Sequence, residues 1–319
     1  MRRLVLPVVL ALCAFAMSAT TAQASYVVGI SDQLAKTFTN PKYAPLKMKV
    51  ARYVVPYDVM TNPSQLQPFD DWIKGARAAK QKVLISFEHS RTPGKEAKMP
   101  SISEYTKQLK LVKATYGSMI TDISPWNEVN HCQKGGRTEG QPAKICKDPK
   151  VAAAVLKAAK KVFKKNKIVV LDFLDGKNPS STLSYIRKFK KAAKPSKSAI
   201  WGLHNYSDTN RYSDKTQRTK MILREIGRGE IWLTETGGQV TLGKRSVAEG
   251  APLAAKALGC MFDIANRYKQ IKRVYVFSFN GTPEGQGLLF DSGLVAADGV
   301  TERPGYAIVK KRKAIKCNK

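Results

Sequence analysis

The chain has 319 residues, 43% of apolar type and 25% charged, with 55 Lys+Arg against 24 Asp+Glu. That apolar content excludes general disorder, and the length accommodates one large domain or two of ordinary size. So basic a chain favours acidic partners such as anionic wall polymers or acidic polysaccharides; no RNA- or DNA-binding motif is present, so no nucleic-acid partner is expected.

The first 24 residues read as a secretory leader. Arg2 and Arg3 precede an apolar stretch over 4–17, and Ala22-Gln23-Ala24 supplies the small-x-small cleavage site. The stretch is too short for a permanent anchor, and no other segment is long and apolar enough to span a bilayer, so the mature chain, 25–319, is expected to be secreted or wall-associated and monomeric. Cys13 follows the bulky Leu12, which argues against lipidation. Removing Arg2 and Arg3 leaves 53 cations against 24 acids, a charge of about +29. The lysine-rich stretches over 157–167 and 185–194 read first as solvated helix faces.

Buried-strand patterns recur at 27–33, 48–58, 82–90, 120–130, 167–175, 199–208, 230–238 and 273–281. Their starts are on average (273 − 27)/7, or about 35 residues apart, room for one helix and two loops. Helical spacing fills the gaps at 65–81, 101–116, 151–165, 180–194, 216–226, 251–268 and 304–316, with Ser64, Ser101 and Ser180 as candidate caps. The first gap, around Pro41 and Pro45, holds at most a short turn of helix. Strict alternation implies a parallel sheet with right-handed crossovers, and eight such units imply a single-domain α/β fold, the (β/α)8 TIM barrel. An open doubly wound sheet is the alternative, but Gly29-Ile30-Ser31-Asp32 is not a glycine-rich phosphate turn.

Four cysteines remain after the leader, an even number that suggests two disulfides in an exported protein. Closeness in sequence favours Cys132–Cys146, pinning the long loop 131–150, and Cys260–Cys317, tying the last two helices. Other pairings remain open, and a zinc site is disfavoured by the lack of a CxxC spacing.

In such a barrel the carboxyl ends of the strands face the site. Those ends present Arg52, Glu88, His89, Trp126-Asn127-Glu128, Asp172, Asp175, His204-Asn205-Tyr206, Thr234-Glu235 and Phe279-Asn280. Glu128 and Glu235 stand on the fourth and seventh strands, nearly across the mouth, where a carboxylate pair serves as nucleophile and acid/base in glycoside hydrolysis. The three histidines, His89, His131 and His204, map to the same rim, but no His-x-His or local ligand pair is present, so neither a metal nor any other cofactor is expected.

Trp126-Asn127-Glu128 on strand four, with Thr234-Glu235 on strand seven, resembles clan A of the retaining glycoside hydrolases over the whole barrel. The resemblance implies Glu128 as acid/base and Glu235 as nucleophile, acting on extracellular poly- or oligosaccharide. It implies that Asn127 binds a sugar hydroxyl, that Arg52 lies near the nucleophile and that His204 or Tyr206 contacts it. His89, Trp126 and Phe279 complete the expected substrate contacts. The sequence departs from the clan in having Val129 after the acid/base and no tryptophan on strand eight, where Phe277 and Phe279 stand. A carbohydrate-binding barrel without turnover, holding an anionic wall polymer, is the second reading.

Overall fold

The computed structural model describes residues 26–133, 140–176, 178–210, 217–283 and 290–317. The leader and its cleavage site lie outside the described residues. Eight parallel strands close into a barrel: Val27–Ser31, Val50–Pro56, Lys82–Glu88, Asp122–Ser124, Lys167–Leu174, Ile200–His204, Glu230–Thr236 and Ile271–Val276. Each pairs with the next, and the eighth returns to the first. Closure leaves the barrel without an edge to protect, as a parallel sheet covered by helices requires.

The outer helices lie where the apolar periodicity puts them: Pro63–Ala78, Ile102–Tyr116, Pro149–Val162, Pro179–Ala193, Arg218–Ile226, Val247–Arg267 and Pro304–Lys311. The first gap holds only the short 3-10 turns Ala35–Thr37 and Ala44–Leu46. Ser101 caps its helix by accepting from the Glu104 amide. The other two expected caps shift by two residues, because both helices open with Asn-Pro-Ser. Proline takes the first helical position, and Asn62 and Asn178 stand at the caps in place of Ser64 and Ser180.

Two strands are shorter than their apolar runs. Strand four stops at Ser124, since Pro125 has no N–H for the ladder, and Trp126–Asn130 turn across the mouth instead. Strand six stops at His204 because a short helix, Tyr206–Asn210, winds immediately after it. A two-stranded ribbon, Thr241–Leu242 with Phe290–Asp291, was not read from the sequence and sits beyond strand seven.

The main core lies between the outer face of the sheet and the helices. Inside the barrel a separate apolar layer of Val50, Leu84, Val169, Trp232 and Tyr275 fills the lower part. There Arg273 lies 3.6 Å over the Trp232 ring and pairs with Asp122 at 2.7 Å. The upper layer is polar: Ser31, Arg52, Ser86, Ser124, Asp172, His204 and Thr234, all fully buried. Both expected disulfides are present, with Cα–Cα distances of 5.3 Å for Cys132–Cys146 and 4.7 Å for Cys260–Cys317. No helix among the described residues is long and apolar enough to cross a membrane.

Gly202 faces Asp172 across the strand five–six ladder, and any Cβ there would collide with the Asp172 carboxylate and Thr234 Oγ1. Gly202→Ala is expected to destabilise the protein by about 1–3 kcal/mol through overpacking. Urea unfolding monitors this; wild-type stability would show that the polar layer has room to relax.

Candidate active site

The polar layer is organised by one side chain. Arg52 rises from strand two into the barrel, where Nη1 donates to Glu235 Oε2 at 2.8 Å and Nη2 to Asn127 Oδ1 at 2.6 Å and Asp172 Oδ2 at 3.1 Å. Ser86 and Ser124 donate to Asp172 Oδ2 at 3.0 and 3.1 Å, and Thr234 donates to Oδ1 at 2.5 Å. Burial alone raises the Asp172 pKa. The charges of His204 and Arg52, with these hydrogen bonds, instead hold it well below the usual carboxylate range.

Glu235 ends strand seven with both oxygens engaged, Oε2 by Arg52 and Oε1 by the Tyr206 hydroxyl at 2.9 Å. Two fixed donors on one carboxylate set its plane. Burial, with Glu235 next, pushes the Tyr206 hydroxyl well above its ordinary range, so it remains a donor.

Glu128 reaches the mouth from the turn after strand four, with φ at +41°, a left-handed conformation uncommon outside glycine. Backbone hydrogen bonds hold the turn: the Asn127 amide donates to Phe87 O, the Val129 amide to Asp172 O, and the His131 amide to Glu128 O. The Glu128 carboxylate lies between two imidazoles, 2.8 Å from His204 Nδ1 and 2.9 Å from His131 Nδ1. Burial raises its pKa, but the hydrogen bonds and charges of His131 and His204 outweigh that and hold it well below the usual range. His204 has Asp172 Oδ1 at 3.2 Å on its other nitrogen. Burial lowers its pKa, but Asp172 and Glu235, with the Glu128 bond, push it up to about 10. The proton of this cluster therefore rests on imidazole, hydrogen-bonded to Glu128.

Glu128, His204 and Glu235 each present an atom within 4.8 Å of the other two. That spacing would suit a metal ion, but each nitrogen of His204 faces a carboxylate. Its Nδ1 is engaged by Glu128 and its Nε2 by Asp172 and Arg52, so a metal there would have to displace one of these partners. The same spacing places the two glutamates in the range of a retaining carboxylate pair, well short of the separation an inverting pair needs.

The other expected contacts divide. Asn127 spends its carbonyl on Arg52. His89 lies just past strand three, where burial lowers its pKa and favours the neutral ring. Trp126, expected to contact sugar, is 1% exposed, donates to Gln141 Oε1 at 2.7 Å and stacks on Tyr57. Phe279 is 0% exposed and packs edge-on against Tyr43, while its amide and that of Asn280 donate to buried Asp32. The strand-eight ring that is half-buried is Phe277, packed on Phe290, which in turn meets Tyr206. The sequence puts Asp172 and His131 at the rim and Phe277 on strand eight without giving any of them a role in the site. An aspartate inside an otherwise apolar strand run, opposite Gly202, is the signal that marks Asp172. Asp175, under the Ser207 amide, is pushed up to about 7 by burial.

Comparison with known proteins supports the architecture. No family model and no curated protein matches the chain. Among solved structures it resembles a GH10 endoxylanase from a sugarcane soil metagenome, with TM-score 0.62 and 13% identity over 91% of this chain and 97% of that one. It also resembles GH5_18 from Streptomyces cattleya, with TM-score 0.64 and 12% identity over 90% of this chain and 79% of that one. A family 39 glycoside hydrolase from Bacteroides cellulosilyticus gives TM-score 0.61 and 14% identity, over 91% and 64% of the two chains. The chain thus has the barrel fold shared by these clan A glycoside hydrolases, with no single family assigned.

The His131 bond lowers the pKa of Glu128, so removing it must raise that pKa. For His131→Gln, the alkaline limb of the kcat/KM–pH profile is expected to move to higher pH, read with any substrate that is turned over. An unmoved limb would separate His131 from the proton chemistry.

Proposed function

We propose that the protein is a secreted retaining β-glycoside hydrolase acting on extracellular poly- or oligosaccharide. The observation that carries this reading is the approach of Glu128 and Glu235 to within 4.8 Å at the mouth of a clan A-type barrel. Two disulfides, Cys132–Cys146 and Cys260–Cys317, and the leader pattern support export.

In the first step Glu235 attacks the anomeric carbon while a proton passes from the Glu128 cluster to the departing oxygen, so the glycosidic bond breaks as the glycosyl ester forms. Arg52 and Tyr206 fix the attacking oxygens, and Asn127 is placed to hold a hydroxyl of the same sugar. In the second step Glu128 takes a proton from water, which opens the ester and regenerates Glu235. His131 has a side chain 35% exposed and connects Glu128 to bulk solvent for proton return. The half-buried rings of Phe277 and Phe290 supply an apolar edge where clan members carry tryptophan.

The test is reducing-sugar release by the mature, oxidised protein across neutral and acidic polysaccharides, with Glu235→Gln alongside. Wild-type release with the variant slower by at least about a thousandfold is expected, and NMR of the first product should show retained anomeric configuration. Inverted product, or a fully active variant, would refute the assignment. Binding without release from any polymer would favour the noncatalytic barrel.

A further inference from the structure

The strands enter the barrel at the face opposite the mouth, where the outer helices end. Six of these entries each carry an exposed cation: Lys49, Lys82, Lys165, Lys197, Arg228 and Lys269, for strands two, three, five, six, seven and eight. Among the described residues none of the six pairs with a carboxylate. The carboxylates that begin strands on this face are already engaged. Asp122 is buried against Arg273, and Glu230 accepts from Trp232 Nε1.

Helix dipoles do not account for this charge. Each helix C-terminus carries about half a negative charge, satisfied by a cation in the last turn. Arg77, Lys113, Lys160, Lys190, Arg224 and Arg267 already stand in those last turns. The six entry cations are surplus to that role. Neighbouring parallel strands run about 4.8 Å apart, within a Debye length of about 8 Å at physiological salt, so the entries act as one field. The lysine-rich helices Pro149–Val162 and Pro179–Ala193, packed side by side, extend it along one flank.

We propose that this face is a docking surface for a hydrated, carboxylate-bearing polysaccharide, which holds the barrel with its catalytic mouth turned outward. Five of the six cations are lysine, a strongly hydrated point charge suited to charge density more than to a bidentate anion. Among the described residues the exposed large apolar side chains are Val27, Leu34, Ile102, Leu111, Leu242 and Val300, with no aromatic ring among them. A face that inserts into a bilayer needs aromatic or other apolar anchors, and one that binds single-stranded nucleic acid uses rings for base stacking; a hydrated polyanion needs neither. The inference concerns binding alone and does not depend on turnover.

The test is binding of the full mature protein to soluble polygalacturonate between 0.05 and 0.3 M NaCl (an experimental range of about one to two Debye-length regimes). The face variant carries Lys82→Glu, Lys165→Glu, Lys197→Glu and Lys269→Glu. A control of equal net charge carries Lys36→Glu, Lys95→Glu, Lys98→Glu and Lys244→Glu, all exposed on the mouth side. Circular dichroism and the thermal midpoint verify that both fold. The face variant should bind about tenfold or more weakly, with a shallower salt dependence, and the control within about twofold of wild type. Equal weakening of both sets, no wild-type binding at 0.15 M salt (about physiological), or equally tight binding to phosphatidylserine vesicles would overturn the proposal.

Discussion

A guanidinium with no exposure must be neutralised inside the protein, and Arg52 is neutralised by two carboxylates that belong to different tasks. Asp172, from strand five, anchors it within the barrel; Glu235, from strand seven, receives its second nitrogen at the mouth. Removing either partner would leave a buried charge uncompensated, a cost of about 3–5 kcal/mol for such pairs. The site therefore shares its central ion pair with the barrel interior, and the strands that carry it cannot slip without breaking both. Gly202, three serine and threonine hydroxyls and the short strand four all make room for, or bond to, the same Asp172.

The charges around this centre suit a cationic transition state. Arg52 and His204 stand among three carboxylates, Asp172, Glu128 and Glu235, with His131 on the second oxygen of Glu128, so negative groups line the mouth where an oxocarbenium-like centre would develop in the proposed reaction. Resting Glu128 is an anion with its proton stored one hydrogen bond away, on imidazole. The hydrogen bonds and charges of His131 and His204 outweigh burial at Glu128. The Cys132–Cys146 bond and the His131–Gln141 backbone pairing fix the loop that brings one of them.

Much of this was legible in the sequence. Period and spacing define the eight units, since buried strands and amphipathic helices leave distinct patterns, and the carboxyl ends of strands four and seven isolate Glu128 and Glu235. What failed to register depended on contacts that periodicity does not encode. Pro125 shortens strand four, and the prolines of two Asn-Pro-Ser starts move caps from Ser64 and Ser180 to the preceding asparagines. Phe279 lies inside because strand eight ends at Val276, leaving Phe277 the half-buried ring. Asp172 looks like one more polar strand end until Arg52 and His204 are seen to converge on it.

The central claim is that Glu235 forms a covalent bond to sugar. Incubation with a panel of activated 2-deoxy-2-fluoro glycosides, followed by peptide mass spectrometry, tests it most directly. A single glycosyl adduct is expected on the peptide containing Glu235. An adduct on Glu128 or another residue, or turnover of the same glycosides with no adduct at all, would contradict it.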